Sequence, residues 1–512
     1  MSDHDHEVPG HDHHDCCGGA TRRGVLGAGL AVGAGAFLSQ IVSGEVKAAP
    51  SDATLSALAR AGSSAPILLK GGIVLSMDPK VGNFEKGDVL IRNGKIKAVG
   101  PKIDAHALEI DARGMIVMPG FIDTHHHQYE TALRSILADG LLSSTEDMPV
   151  SYISLIQGVY TPLYTPDDAY MSVLVASLSQ LNNGTTTTVD TSQVNNSPEH
   201  TDAMVKALRD SGRRALFAYS GGVGPDAKFP QDIVRVKEQY FSSKDQLLTL
   251  GLGTGTDQTL WALARSIDVP IISHIVGPFG SEPGLMAAYK AGAMGPDNEY
   301  IHCTELSDDM WKAIADTGGK VSIGPAIEMQ MRHGMPPFLK ALSLKVPLSL
   351  SVDVECNMTA DMFTIMRSAF TLQRALVNQK RLNGQTRTQP LLTCNDTIKL
   401  ATLGGADCAH LADKVGSLTP GKEADVILLN ANLINVFPLN NAPGAVVTLM
   451  DTSNVDTVFV AGKLKKWRGR LVDVDIGALR RRIDASRDSL LAKAGLSLDL
   501  FGSCCQAKGA LD

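Results

Sequence analysis

Aromatic residues are scarce: Phe, Tyr and Trp together make up 5% of the 512 residues. A surface that stacks nucleobases needs such rings, and one that follows a phosphate backbone needs a basic stripe. No such stripe exists; 47 Lys and Arg face 54 Asp and Glu, for a formal net charge of −7. Nucleic acid is therefore excluded as an expected partner. Cysteine is also sparse, with eight residues. Cys16-Cys17 and Cys504-Cys505 lie in the tails, while Cys303, Cys356, Cys394 and Cys408 are isolated. This spacing gives neither a zinc finger nor a disulfide framework. After residue 44 no run is long and apolar enough to span a bilayer. What remains, 44% hydrophobic and 20% charged, is ordinary globular composition.

The first 49 residues read as a leader rather than as fold. A His- and Asp-rich stretch, MSDHDHEVPGHDHHDCCGG, precedes Arg22-Arg23 and an uncharged Gly/Ala-rich run from Gly24 to Gly44. This is the pattern of a twin-arginine export signal, with Ala48-Ala49 as the cleavage point. Periplasmic or secreted protein without stable membrane insertion is the expectation; a retained N-terminal anchor is the alternative.

Two separated segments, 65–118 and 414–475, read as β-structure. ILLKGGIVLSMD and DVLIRNGKIKAVG alternate apolar and polar residues, and Asn93-Gly94 is a type I′ hairpin signal. GSLTPGKEADVILLN and VVTLMDTSNVDTVFVAGKLKKW supply the later strands. A discontinuous β-sandwich is expected, interrupted by one insertion over 119–413. Within the insertion, apolar strands alternate with helical stretches, the signature of a parallel sheet. The expected strands are FIDTHHH, TTTTVDT, RALFAYS, LLTLGLGTG, PIISHIV, EYIHCTE, KVSIGP and LSLSVDVE. Eight strands with intervening helices predict an α/β fold, a (β/α)8 TIM-like barrel. The segment 476–512 reads as an exposed helix and a tail.

In such a barrel, chemistry gathers at the C-terminal strand ends. His125 and His127 end the first strand; two residues apart on a strand, they share a face with Cα atoms roughly 6.6 Å apart. From there two imidazoles converge on one metal, while His126 points away and packs. His274 ends the fifth strand, His302 the sixth and Asp353 the eighth. Such a set of N and O donors suits a divalent metal such as zinc.

The order of PGFIDTHHH, Arg134, NGTTTTVD, IHCTELSDD, DMFTIMRSAFTLQR and GSLTPGKEADVILL resembles the amidohydrolase superfamily. The similar branch holds atrazine chlorohydrolase and the cytosine, guanine and S-adenosylhomocysteine deaminases. The resemblance covers about residues 66–475. It implies His125, His127, His274 and Asp353 as ligands of one divalent ion, zinc first and Fe2+ or Mn2+ as alternatives. It also implies Asp353 as general base, with His302 beside the metal and touching substrate or attacking water. The fourth strand lacks the lysine that bridges two metals in other relatives. Gln128, Arg134, Glu328 and Glu355 are the candidate substrate contacts, Glu355 because it is two residues from Asp353. A small-molecule substrate and a homo-oligomer are the implied partners.

One departure stands out. Deaminases of this branch carry a glutamate three residues after the fifth-strand histidine, and here that residue is Gly277. Glu328 and Glu355 are the candidate substitutes, with Glu282 and Glu305 less well placed. Hydrolysis of a C–N bond by metal-activated water is the leading expectation, in an amide, a cyclic amide or an amino-heterocycle. A lyase or decarboxylase, a ring halide or thioether hydrolase, and a non-catalytic protein that keeps its metal remain open.

Overall fold

The computed structural model describes residues 65–502, together with Leu55 and Leu58. The leader, its twin arginines and the terminal cysteine pairs lie outside the described residues.

Short alternating segments build the β-domain. Asn93 and Gly94 adopt φ values of 52° and 75°, as a type I′ turn requires, and join Phe84–Arg92 to Lys95–Gly100. Met115–Pro119 then pairs antiparallel with Val426–Asn430, more than 300 residues further on, in a register from Pro119 opposite Val426 to Met115 opposite Asn430. That pairing, with an isolated bridge between Lys95 and Glu423, joins the two halves of the domain into a nine-stranded mixed sheet. Its apolar side chains, Ile67, Val89, Ile96, Val117, Leu428 and Phe459 among them, form one core.

The insertion folds as predicted. All eight expected strands are present and parallel, neighbouring one another in chain order from Phe121–His126 to Leu348–Leu350. The ring closes through the site itself. His127 N–H donates to the Asp353 carbonyl at 2.8 Å, and Asp353 N–H to the His125 carbonyl at 2.9 Å. Helices alternate with strands where capping residues allow. Thr165 and Asp168 form a capping box at the head of Pro166–Asn182, and Gly212 and Gly318 end two later helices in the left-handed conformation. Ala406, Ala409, Leu411 and Val415 pack with barrel residues Ile122, Val189, Leu216 and Ile301. The barrel is thus a packed core rather than a channel.

The C-terminal helix, Ile476–Lys493, corrects the expectation of an exposed element. Leu490 and Leu491 are buried, and Ser486 Oγ donates to Asp168 Oδ1 at 2.6 Å. No helix among the described residues is long and apolar enough to cross a membrane.

Candidate metal centre and active-site cavity

The structure brings His125, His127 and His274 together, and likewise His125, His302 and Asp353. The ring centroids of His125 and His127 are 4.6 Å apart, and those of His125 and His274 4.7 Å. Asp353 Oδ1 lies 3.0 Å from His125 Nε2 and 3.5 Å from His127 Nε2. Donor atoms bonded to a tetrahedral ion at 2.0–2.1 Å stand roughly 3.3 Å apart, so these spacings fit one metal. The electrostatics agree. His125 Nε2, His274 Nε2 and Asp353 Oδ2 are buried and have no hydrogen-bond partner among the described residues. His125 Nδ1 is meanwhile engaged by Thr191 Oγ1 at 2.9 Å, which fixes the ring with Nε2 inward. Unpaired buried polar atoms are costly, and a cation would satisfy the lone pairs of such atoms. The fourth strand brings no lysine to the cluster.

His302 stands beside this set, with Nε2 3.7 Å from Asp353 Oδ2. Burial lowers its pKa, but the charges of Asp353 and Glu328 outweigh burial and raise it. Both His302 and Asp353 have left-handed backbones, with φ of 71° and 65°. Strain of this kind in non-glycine residues gathers at functional sites.

The four expected substrate contacts need correction. Glu328 is fully buried behind His302, accepting from His302 Nδ1 at 3.0 Å and from Gly324 N at 2.9 Å. It orients the imidazole and does not line the cavity. Glu355 turns away from the cavity to Arg134 (2.7 Å) and Thr131 (2.6 Å). Parity failed there because strand geometry ends at Leu350 and Asp353 is left-handed. Arg134 is consumed by that ion pair. Gln128 is buried, accepting from Ser177 Oγ and Arg213. Of the less favoured acids, Glu282 accepts from Ser307 N, at the outer surface.

His126 packs rather than ligates, but in polar company. Its Nδ1 lies 3.5 Å from Asp123 and its Nε2 3.8 Å from Glu355, and burial lowers its pKa to about 4.

The cavity above the cluster has a volume of about 490 Å3. Leu142, Ile153, Phe229, Phe279, Met331 and Val354 give it an apolar wall. Tyr152, Gln157 and Gln193 add neutral hydrogen-bonding groups, and among the described residues no Lys, Arg or Glu lines it. His333, which sequence reasoning passed over, lines it as well. Its one signal was its place in GPAIEMQMRHG, the segment that carries Glu328.

Behind Tyr152 lies Glu130, which accepts from the Tyr152 hydroxyl at 2.7 Å. Burial pushes its pKa from 4.5 up to about 8, against the lowering effect of that hydrogen bond. A carboxyl whose pKa is raised by folding holds its proton in the native state and loses it in the unfolded one. Stability therefore falls as pH rises from about 4.5 to about 8. Glu130→Gln, neutral at every pH, is expected to make this fall shallower by up to ~1.4 kcal/mol per pH unit. Denaturant midpoints between pH 5 and 8 measure it, and parallel curves for both proteins would refute it.

Comparison with known proteins agrees with the geometry. A 5'-deoxyadenosine deaminase of Methanobrevibacter smithii is 27% identical over 444 residues, covering 80% of this chain and 94% of the relative. A 5-methylthioadenosine/S-adenosylhomocysteine deaminase of Caldicellulosiruptor saccharolyticus is 24% identical, covering 81% and 97%. Among solved structures, an adenosine deaminase from Xanthomonas campestris with bound zinc superposes with a TM-score of 0.72. It is 22% identical, with 83% of this chain and 98% of that one covered. Atrazine chlorohydrolase from Arthrobacter aurescens, complexed with zinc, also gives 0.72 at 21% identity, covering 82% and 100%. The amidohydrolase family model matches residues 116–465. With that span over well more than half of its length, the chain belongs to the amidohydrolase family.

Proposed function

We propose that this protein is a mononuclear metal-dependent hydrolase that cleaves a carbon–nitrogen bond in a small, neutral, largely apolar ring compound. The observation that carries the reading is the convergence of His125, His127, His274 and Asp353 beside a largely apolar cavity. The relatives support it: their names describe deamination of adenosine-type compounds, and the solved neighbours hold zinc. Zinc is the proposed ion, bound by those four residues. When bound, it supplies Lewis acidity and makes water nucleophilic near neutral pH.

The protein's own groups do the rest. Asp353 takes the proton of the attacking water. His302, held by Glu328, donates a hydrogen bond from Nε2 to the oxygen or nitrogen on which charge develops. The apolar wall excludes bulk water, which strengthens both interactions. Without Lys or Arg among the described residues of the lining, a substrate carboxylate would be left unpaired. 5'-Deoxyadenosine, which has none, is therefore expected to be preferred over S-adenosylhomocysteine.

The test is ammonia release from a panel of amino-heterocycles, cyclic amides and carboxylated aromatics by zinc-loaded protein. Release of carbon dioxide instead would favour a lyase. Binding without turnover that survives Asp353→Asn would favour a non-catalytic role. Preference for S-adenosylhomocysteine would overturn the assignment of a neutral substrate.

Export by the twin-arginine route is part of the proposal, supported by Arg22-Arg23 and the uncharged run after them. Arg22→Lys combined with Arg23→Lys is expected to keep the protein in the cytoplasmic fraction; unchanged fractionation would refute export by this route.

A further inference from the structure

Hydrolysis leaves the departing nitrogen in need of a proton, and residue 277 has no side chain to supply one. Nor is there room for one. A Cβ at Gly277 would stand 2.5 Å from Glu305 Cβ and 2.6 Å from the Thr304 carbonyl oxygen. The loop after the sixth strand fills that space, turned inward through left-handed Cys303 and Glu305. This loop in turn grips the one after the seventh strand. Thr304 Oγ1 accepts from Gly277 N at 3.3 Å and donates to the His333 carbonyl. His333 N–H donates to the Glu328 carbonyl at 3.0 Å. Gly334, at φ +111°, lets the backbone pass close to Thr304, where a Cβ would meet Thr304 Cβ at 2.8 Å.

These contacts deliver the His333 ring to the cavity wall. It is 4% exposed and packs edge-on against His302, with centroids 4.8 Å apart. Its Nδ1 lies 4.0 Å from Asp353 Oδ2. Neither ring nitrogen has a hydrogen-bond partner among the described residues. Each unpaired buried polar atom costs about 1–3 kcal/mol, a cost removed when a polar ligand fills the cavity. Glu305, the remaining acid near residue 277, is absent from the cavity wall.

We propose that His333 is a catalytic residue that delivers the proton to the leaving nitrogen, in place of the carboxylate missing at position 277. The proposal rests on the hydrolase reading above. The oxygen of water bonds to the substrate carbon, and water's proton passes to Asp353. As the carbon–nitrogen bond breaks, its electron pair leaves with nitrogen. Nitrogen takes the proton from His333 Nε2, while Nδ1 recovers one from Asp353 through a water bridging the 4.0 Å between them. The imidazole ends as its other tautomer, and the atoms of one water are divided between the products.

The test compares two substrates with zinc-loaded protein: 5'-deoxyadenosine, and the same nucleoside with chlorine in place of the amino group. Chloride departs without a proton; ammonia does not. His333→Ala is expected to lose 10²–10⁴-fold in kcat on the amino compound and no more than a few-fold on the chloro compound. Added imidazole should restore part of the loss, and metal content should equal that of the parent. Equal losses on both compounds, or a loss of metal, would overturn the proposal. Binding of 5'-deoxyadenosine to the metal-free protein, measured calorimetrically, supplies a readout independent of turnover. His333→Ala should weaken it about tenfold, the worth of one hydrogen bond, and unchanged affinity would count against His333. A parent protein that binds zinc and the nucleoside but turns over neither compound would refute the hydrolase reading instead, leaving the binding result to judge the contact.

Discussion

Asp353→Ala is expected to lose the metal and to lower kcat by at least ~10⁴-fold, because the proposed mechanism gives one side chain the roles of ligand and general base. Alanine also removes a residue type that tolerates the left-handed backbone at φ 65°, so two effects would be mixed. Asp353→Asn separates them. Asparagine keeps the volume and suits that backbone, and the barrel-closing hydrogen bonds of residue 353 are made by main-chain atoms. The expected result for Asp353→Asn is a thermal midpoint close to the parent's with turnover gone and zinc affinity sharply reduced. Metal analysis of the purified variants together with a thermal melt measures this. Stoichiometric zinc and substantial turnover in the asparagine variant would remove Asp353 from both roles.

The second large effect concerns stability. Arg213 is fully buried, and its guanidinium donates to the amide oxygens of Gln180 and Gln128. Gln180 Nε2 in turn donates to Asp123 Oδ2 at 2.6 Å. Asp123 Oδ1 accepts from Val352 N at 3.1 Å, which ties the first barrel strand to the chain leaving the eighth. Arg213 is a cation in a buried region that also holds Asp123, Asp190 and, paired with Arg134, Glu355. Burial raises the pKa of Asp123 to about 7 and of Asp190 to about 6, against the lowering effect of hydrogen bonds from Gln180 and Gln128 respectively and, after them, of the nearby guanidinium.

Removing that cation by Arg213→Met strands buried carboxylates, a change that typically costs 3–5 kcal/mol. The cost should depend on pH. Without the cation both carboxyls bind protons more tightly in the native state, so stability falls more steeply as pH rises through 6 and 7. The variant should therefore be clearly less stable than the parent at pH 8 and closer to it at pH 5.5, by denaturant titration. A pH-independent difference would mean that lost packing, not charge, dominates.

The barrel site was legible to the extent that its geometry is local. His125 and His127 share a face because strand pleating has a period of two, and a strand signal ran directly into them. His274, His302 and Asp353 each close an apolar run, and strand ends in this architecture meet at one rim. The candidate substrate contacts were misjudged where that regularity stops. Glu355 was placed by counting residues from Asp353, but the chain turns left-handed there and the carboxylate swings to Arg134. Glu328 sits in a short helix after the seventh strand and reaches inward to His302 rather than to the cavity. His333, five residues later, was missed because no periodicity governs a loop.

The order of strands and helices, the Asn93-Gly94 hairpin, the candidate ligand types and the empty side chain at position 277 were all determined by the sequence alone. Each is set by contacts between near neighbours or by a single residue's chemistry. Only tertiary structure decided which carboxylates face the cavity, what fills the space beside Gly277 and that His333 enters the wall. Those outcomes depend on three loops from different strands packing against one another, and on left-handed turns whose direction is fixed by what they pack against.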